Sequence, residues 1–203
     1  MIFLTPLSSS SSPRRVLATG MLCVSALLVS ACGTMAGSNS ATTSMPMFSQ
    51  VSLPATVQVP MGHKVAMETV GVGILSYQCS AKKDMAGQHE WVVVGPDAVL
   101  NDRSGKQVGK YFGPPATWES LDGSKLTATQ IAVTPNGSGN IPTQLVKTNP
   151  AMGIGSMTGV SYIQRVNTIG GVAPMSACGM ANMGNKEMVK YQADYIFYKP
   201  SSM

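Results

Sequence analysis

The sequence predicts an all-β domain, an antiparallel sandwich or a barrel, and three observations carry that prediction. Short runs of alternating apolar residues recur along the chain. Glycine and proline punctuate them, with 21 Gly and 13 Pro in the whole sequence. No stretch beyond the N-terminal region sustains the 3.6-residue period of a helix. Charged residues make up only 11% of the chain, so Gly, Ser, Thr, Asn and Gln must do much of the solvating. That balance suits a secreted β protein better than a cytosolic enzyme.

Residues 1–31 stand apart. Pro13-Arg14-Arg15 precede an apolar run from Val16 to Val29, and Val29-Ser30-Ala31-Cys32 follow. A basic patch, an apolar run and small residues at a processing point make a secretory signal. The run is shorter than the ~20 residues of a spanning helix. A cysteine at the cut site resembles a lipobox, so 1–31 is read as a lipoprotein signal peptide and Cys32 as the lipidated first residue of the mature chain. The implied address is the bacterial cell envelope, with the membrane as partner through the lipid anchor. Gly33 is not the inner-membrane retention aspartate of enteric bacteria, which favours the outer membrane facing the periplasm. Residues 32–50, rich in Ser, Thr, Ala, Gly and Met, read as a disordered, flexible tether. Residues 51–203 read as one β domain.

Within that domain the strands follow in order. Val57-Gln58-Val59 is short and alternating. His63 to Thr69 and Val70 to Ser80 read as two strands; in the second, Gly71, Gly73, Leu75, Tyr77 and Cys79 share one face. Glu90 to Gly95 is a strand stopped by Gly95-Pro96. Ala98 to Asn101 and Gln107 to Phe112 flank a Gly-bearing hairpin loop. Thr117 to Glu119 and Lys125 to Val133 flank the second hairpin signal, Asp122-Gly123-Ser124. Thr143 to Lys147, Gly159 to Thr168 and Glu187 to Tyr198 complete the set. A helical turn is expected only around Ala181 or within Asn149 to Met157.

Charge and cysteine usage narrow the function classes. Loss of Arg14 and Arg15 with the signal lowers the formal charge of +5 by two. No basic run in the mature chain exceeds Lys82-Lys83, so a nucleic-acid footprint is absent. Cys23 leaves with the signal and Cys32 takes lipid. Cys79 and Cys178 remain, and in an oxidising compartment a disulfide between them is the natural reading. Two buried free thiols are the rival.

A set of motifs resembles the DUF3455 family, a domain of unknown function. The matching stretches are Gly62-His63-Lys64-Val65, Tyr77-Gln78-Cys79, Trp91, Gly113-Pro114, Trp118-Glu119 and Asp122-Gly123-Ser124. The run Tyr162 to Thr168, Gly170-Gly171 with Pro174, Cys178, Asp194-Tyr195 and Phe197-Tyr198 complete it. The resemblance implies a shared fold and the Cys79–Cys178 pairing. It implies no activity.

Several constellations could carry chemistry. A dinucleotide site needs Gly-x-Gly-x-x-Gly between a strand and a helix, and neither Gly71-Val72-Gly73 nor Gly153-Ile154-Gly155 has the third glycine. No Gly-x-Ser-x-Gly elbow accompanies His63 or His89. Arg165 and Arg103 are the only arginines after the signal, and Arg165 sits mid-strand among apolar residues. There it pairs with a carboxylate, with Asp194 the candidate, or grips an anionic ligand in a pocket with Tyr162, Gln164, Asn167 and Trp118. Met175, Met180 and Met183 cluster around Cys178, and with His63 they form a candidate Cu(I) set, thioether and imidazole being soft ligands. The contrary reading is that methionine fills gaps.

The leading functional expectation is an envelope lipoprotein without a cofactor, a non-enzymatic β domain that is structural or binds a small ligand or another envelope protein. The alternatives are a periplasmic copper-binding protein and a carboxylate-dependent enzyme using Glu119, Asp122 and Asp194.

Overall fold

The computed structural model describes residues 47–201. The expected signal peptide, Cys32 and most of the expected tether lie outside the described residues.

Eight antiparallel strands close into one barrel. They are β1 (His63–Ala81), β2 (His89–Asn101), β3 (Gln107–Phe112), β4 (Thr117–Ser120), β5 (Lys125–Thr134), β6 (Thr143–Thr148), β7 (Tyr162–Gly170) and β8 (Lys186–Pro200). Neighbours pair in chain order, and β8 returns to pair with β1. Of the two expected architectures the barrel is therefore the one observed. Closure leaves no unpaired sheet edge, and eight strands give an interior that side chains can fill.

Two expected breaks are absent. His63 to Thr69 and Val70 to Ser80 form one strand, because β-branched Thr69 and Val70 carry no turn signal and pair onward with Tyr195 and Asp194. A bulge between Val65 and Met67 takes up the change of register. Gly95-Pro96 does not end β2 either. Pairing with β3 begins only at Asp97, so Pro96 occupies a position with one free side, where a missing N–H is tolerated. The expected helical turn is present as a 3-10 turn at Met180–Asn182, whereas Asn149 to Met157 forms turns without a helix, and a further 3-10 turn at Ala55–Val57 stands where Val57-Gln58-Val59 read as an alternating run.

The alternation read from the sequence sorts the core. Leu75, Tyr77, Leu100, Tyr111, Trp118, Leu126, Ile163, Tyr191, Ala193, Tyr195 and Phe197 point inward and pack together. The loop 149–161 fills one end of the barrel with Met157 and Val160. Asp122 fastens that loop. It accepts from the backbone and hydroxyl of both Ser124 and Ser156.

A second apolar cluster lies on the outer wall. Val57 and Val59 pack there on Leu145, Val166, Ile196 and Tyr198, with Phe48 and Leu53 alongside. The expected tether therefore ends before Gln50. Phe48 N–H donates to Glu68 Oε1 at 2.5 Å, and the Gln50 amide pairs with the backbone of Val59. Burying Val57 and Val59, with Phe48 and Leu53 partly covered, outweighs the freedom that the Ser/Thr-rich composition suggested.

Candidate functional site inside the barrel mouth

Strand alternation splits the expected six-residue pocket across the barrel wall. Ile163 faces inward, so Arg165, two residues on, shares its face, opposite Tyr195 in the β7–β8 register. Trp118 is also inside. Gln164 and Asp194 fall on the outer face, where Tyr162 flanks the second apolar cluster and meets His63 edge-on, with ring centroids 4.9 Å apart.

The outer residues have structural partners. Gln164 is fully buried; its amide donates to Val57 O and Gln50 Oε1, and Tyr198 Oη donates to its oxygen. It is the pin that holds residues 47–60 to the wall. Asp194 Oδ2 accepts from Arg103 Nη1 at 2.8 Å and from Asn167 Nδ2 at 2.9 Å. The expected Arg165–Asp194 pair is thus replaced by Arg103–Asp194. The physical reason is parity: an odd and an even strand position cannot meet through a sheet.

The inner residues form a polar layer. Thr69, Tyr195 and Arg165 are register neighbours across β1, β8 and β7. Tyr111 stacks on Trp118 with ring centroids 4.5 Å apart and 22° between planes, and both rings contact that of Tyr195. Tyr191 and Tyr195 share a hydroxyl contact of 3.1 Å, and Tyr77 Oη donates to Gly171 O. Gly71 makes room for this layer: a Cβ there would come within 2.6 Å of Tyr195 Cε2.

Arg165 anchors the layer at the end from which loops 135–142 and 171–185 emerge. Its Nε and Nη2 both donate to Pro142 O, at 3.3 and 3.0 Å. No carboxylate among the described residues pairs with it. Burial pushes the phenols of Tyr77, Tyr111, Tyr191 and Tyr195 up, and the Arg165 charge partly opposes this in all four. The tyrosines therefore stay protonated and neutral through the physiological range. Two buried polar atoms of the inner face have no hydrogen-bond partner among the described residues, Thr69 Oγ1 and Trp118 Nε1. Trp118 is only 3% exposed.

The other expected sites do not assemble. His63 begins β1 and Cys79 lies near its far end, so His63 and the methionines flanking Cys178 do not share a site. Met175, Met180 and Met183 are all exposed rather than turned toward one another in a buried pocket. No group of three or more His, Cys, Asp or Glu among the described residues could hold a metal. The three carboxylates of the enzyme reading have separate partners: Glu119 lies 3.5 Å from both Lys110 and Lys125, Asp122 binds the two serines, and Asp194 binds Arg103. An outer groove of about 540 Å³ between β1, β7 and β8 is lined by Val72, Ile74, Ile169, Lys190 and Gln192, with Lys190 its one charged residue and no carboxylate.

Cys79 and Cys178 form a disulfide that ties loop 171–185 to the end of β1, and Trp91 Nε1 donates to Ser176 O on the same loop. A family model described as "Protein of unknown function (DUF3455)" matches residues 60–199, from just before β1 to the last residue but one of β8. The chain belongs to the DUF3455 family. No curated protein and no solved structure matches the chain. The match spans every strand of the DUF3455 barrel and both halves of the disulfide, and begins after most of the 47–60 segment that packs on the wall. Sequence reasoning found Arg165 and Trp118 but missed Thr69, Tyr77, Tyr111, Tyr191 and Tyr195. Their signal was present: on β1 and β8 these tyrosines share the inward parity of Leu75 and Phe197.

Proposed function

We propose that this DUF3455 chain is a bacterial envelope lipoprotein, held by lipid on Cys32, whose barrel binds a small ligand or another envelope component without transforming it. The supporting observation is the buried Trp118 Nε1, a donor with no acceptor among the described residues, on the same inner face as Arg165. An unmade hydrogen bond at a buried N–H costs about 1–3 kcal/mol, and a ligand acceptor removes that cost. The surroundings are an aromatic wall with a few polar groups. The groups nearest Trp118 are neutral phenols and the Arg165 guanidinium, which bind rather than supply a nucleophile and base.

Two measurements test the proposal. Mass spectrometry of the native N-terminus is expected to show a diacylglyceryl-modified Cys32, and an unmodified Cys32 removes the anchor. Native mass spectrometry of the full chain purified from its own envelope is expected to show a retained small molecule that an R165Q variant lacks. A protein that carries none and gains no thermal stability from any small-molecule extract of that envelope is not a binder.

A further inference from the structure

We propose that the chain pairs with a second copy of itself, edge to edge, through the free flank of β2 from His89 to Val93. This goes beyond the reading of the barrel as a binding domain and does not depend on it.

Three strands, β8, β1 and β2, continue past the closed part of the barrel at the disulfide end, with β1 in the middle. The outer flank of β8 is occupied there. Gly171 N–H donates to Lys190 O, and Ser176 Oγ donates to Glu187 Oε1. The outer flank of β2 is not. β3 pairs with β2 only from Asp97 on, and no backbone hydrogen bond from a described loop reaches His89 to Val94. Alternate residues of a strand turn N–H and C=O to each side, so this flank presents unpaired donors and acceptors.

The residues along it do little to blunt the edge. Trp91-Val92-Val93-Val94 is aromatic and β-branched, with no lysine and no proline before Pro96. Val92 and Val93, on opposite faces, are 40% and 47% exposed.

An extended strand satisfies such a flank, and a second β2 fits it by symmetry. Like edges meet antiparallel about a two-fold axis. Centred on Val92, the pairing sets Trp91 against Val93. Glu90, the one carboxylate of the stretch, then faces Val94 rather than its own copy. The same axis carries each hairpin tip, Lys82-Lys83-Asp84, toward a depression of about 450 Å³ beside Gly95 and Pro114 on the other copy. That depression is lined by Asp97 and Lys186, which complement the two lysines and Asp84 in sign. The bulge at Val94 and then Pro96 end the flank, so pairing closes on two copies instead of growing.

Sedimentation velocity of the full chain, with detergent micelles in excess and over a wide range of protein concentration, tests the pairing. A reversible monomer–dimer equilibrium is expected. V92K/V93K should weaken it by about tenfold or more, because lysine on an edge opposes strand addition. L121K, at an exposed residue of the opposite end, should leave it unchanged. Near-UV circular dichroism from Trp91 reports that each variant keeps its fold, and the single V92K replaces the pair if that signal is lost. Amide exchange within His89 to Val93 should slow as the dimer forms. A chain that stays monomeric throughout, or a dimer that the lysine variants leave intact, overturns the proposal. A monomer whose β2 flank already exchanges slowly also overturns it, and gives that flank to a strand other than a second β2.

Discussion

Arg103 reaches Asp194 at 2.8 Å across the outer wall, while Arg165 sits on the inner face opposite Tyr195. The Arg103 guanidinium also holds Glu68 at 2.8 Å, and Glu68 in turn accepts the Phe48 N–H. One arginine from the β2–β3 hairpin thus joins β1, β8 and the N-terminal segment.

Replacing that arginine exposes the cost of the arrangement. Glu68 and Asp194 are 13% and 10% exposed, so R103M leaves two largely desolvated carboxylates facing each other. Because Arg103 itself is about one-third exposed, the expected loss is about 1–2 kcal/mol rather than the larger figure for fully buried pairs. Urea denaturation should show a lower midpoint with an unchanged slope. A midpoint equal to wild type would mean the pairing contributes nothing.

Gln164 pins residues 47–60 through Val57 O and Gln50. The Q164A substitution leaves Val57 O and the Tyr198 hydroxyl unpaired in a buried setting, for an expected loss of about 2 kcal/mol. Hydrogen exchange should speed up first at Val57, Gln58 and Val59 while β3 and β4 stay protected. Uniform acceleration across all strands would show that the segment is not a separable unit.

The disulfide closes a span of 99 residues. In the chain-entropy model a loop of that size stabilises by up to about 4.7 kcal/mol. Reduction, or the C79A/C178A double variant, is expected to lower stability by about 2–4 kcal/mol in urea titrations. It should also loosen loop 171–185 and so change the Trp91 environment, read by near-UV circular dichroism. An unchanged midpoint would show that the reduced chain is already constrained.

Asp122 should make the fold acid-sensitive. Hydrogen bonds from the Ser124 and Ser156 hydroxyls, then from their backbones, hold its carboxyl well below the usual carboxylate range. A lowered native pKa stabilises the fold above the unfolded value of ~4 and ceases to do so as pH falls through the native value. The D122N variant is therefore expected to melt lower than wild type at pH 7, with the gap closing as the solution is acidified below ~4. A gap that stays constant from neutral to strongly acidic pH would contradict this assignment.

Much of the barrel was legible from local patterns. The faces of β1, β7 and β8 follow from alternation, and the two hairpins follow from Asp102-Arg103-Ser104-Gly105 and Asp122-Gly123-Ser124. The breaks at Thr69/Val70 and Gly95-Pro96 were misread because continuity depends on partners from distant strands. The pocket was half legible. Reading Tyr162, Gln164, Arg165 and Asn167 as one lining overlooks alternation, which turns Gln164 and Arg165 to opposite sides of the wall.

The sequence by itself determined the strand content, the inward parity of each strand, the family and the cysteines that pair. These are properties of spacing and residue type, and a pleated strand converts spacing into facing without help from elsewhere. Only the tertiary structure decided that the sheet closes, that Asp194 belongs to Arg103, and that Thr69, Tyr195 and Arg165 lie side by side inside. Those relations join residues up to 126 positions apart, as Thr69 and Tyr195 are, and depend on the return of β8 to β1. Local chemistry makes strands; register between distant strands decides which arginine is neutralised and which is left facing the interior.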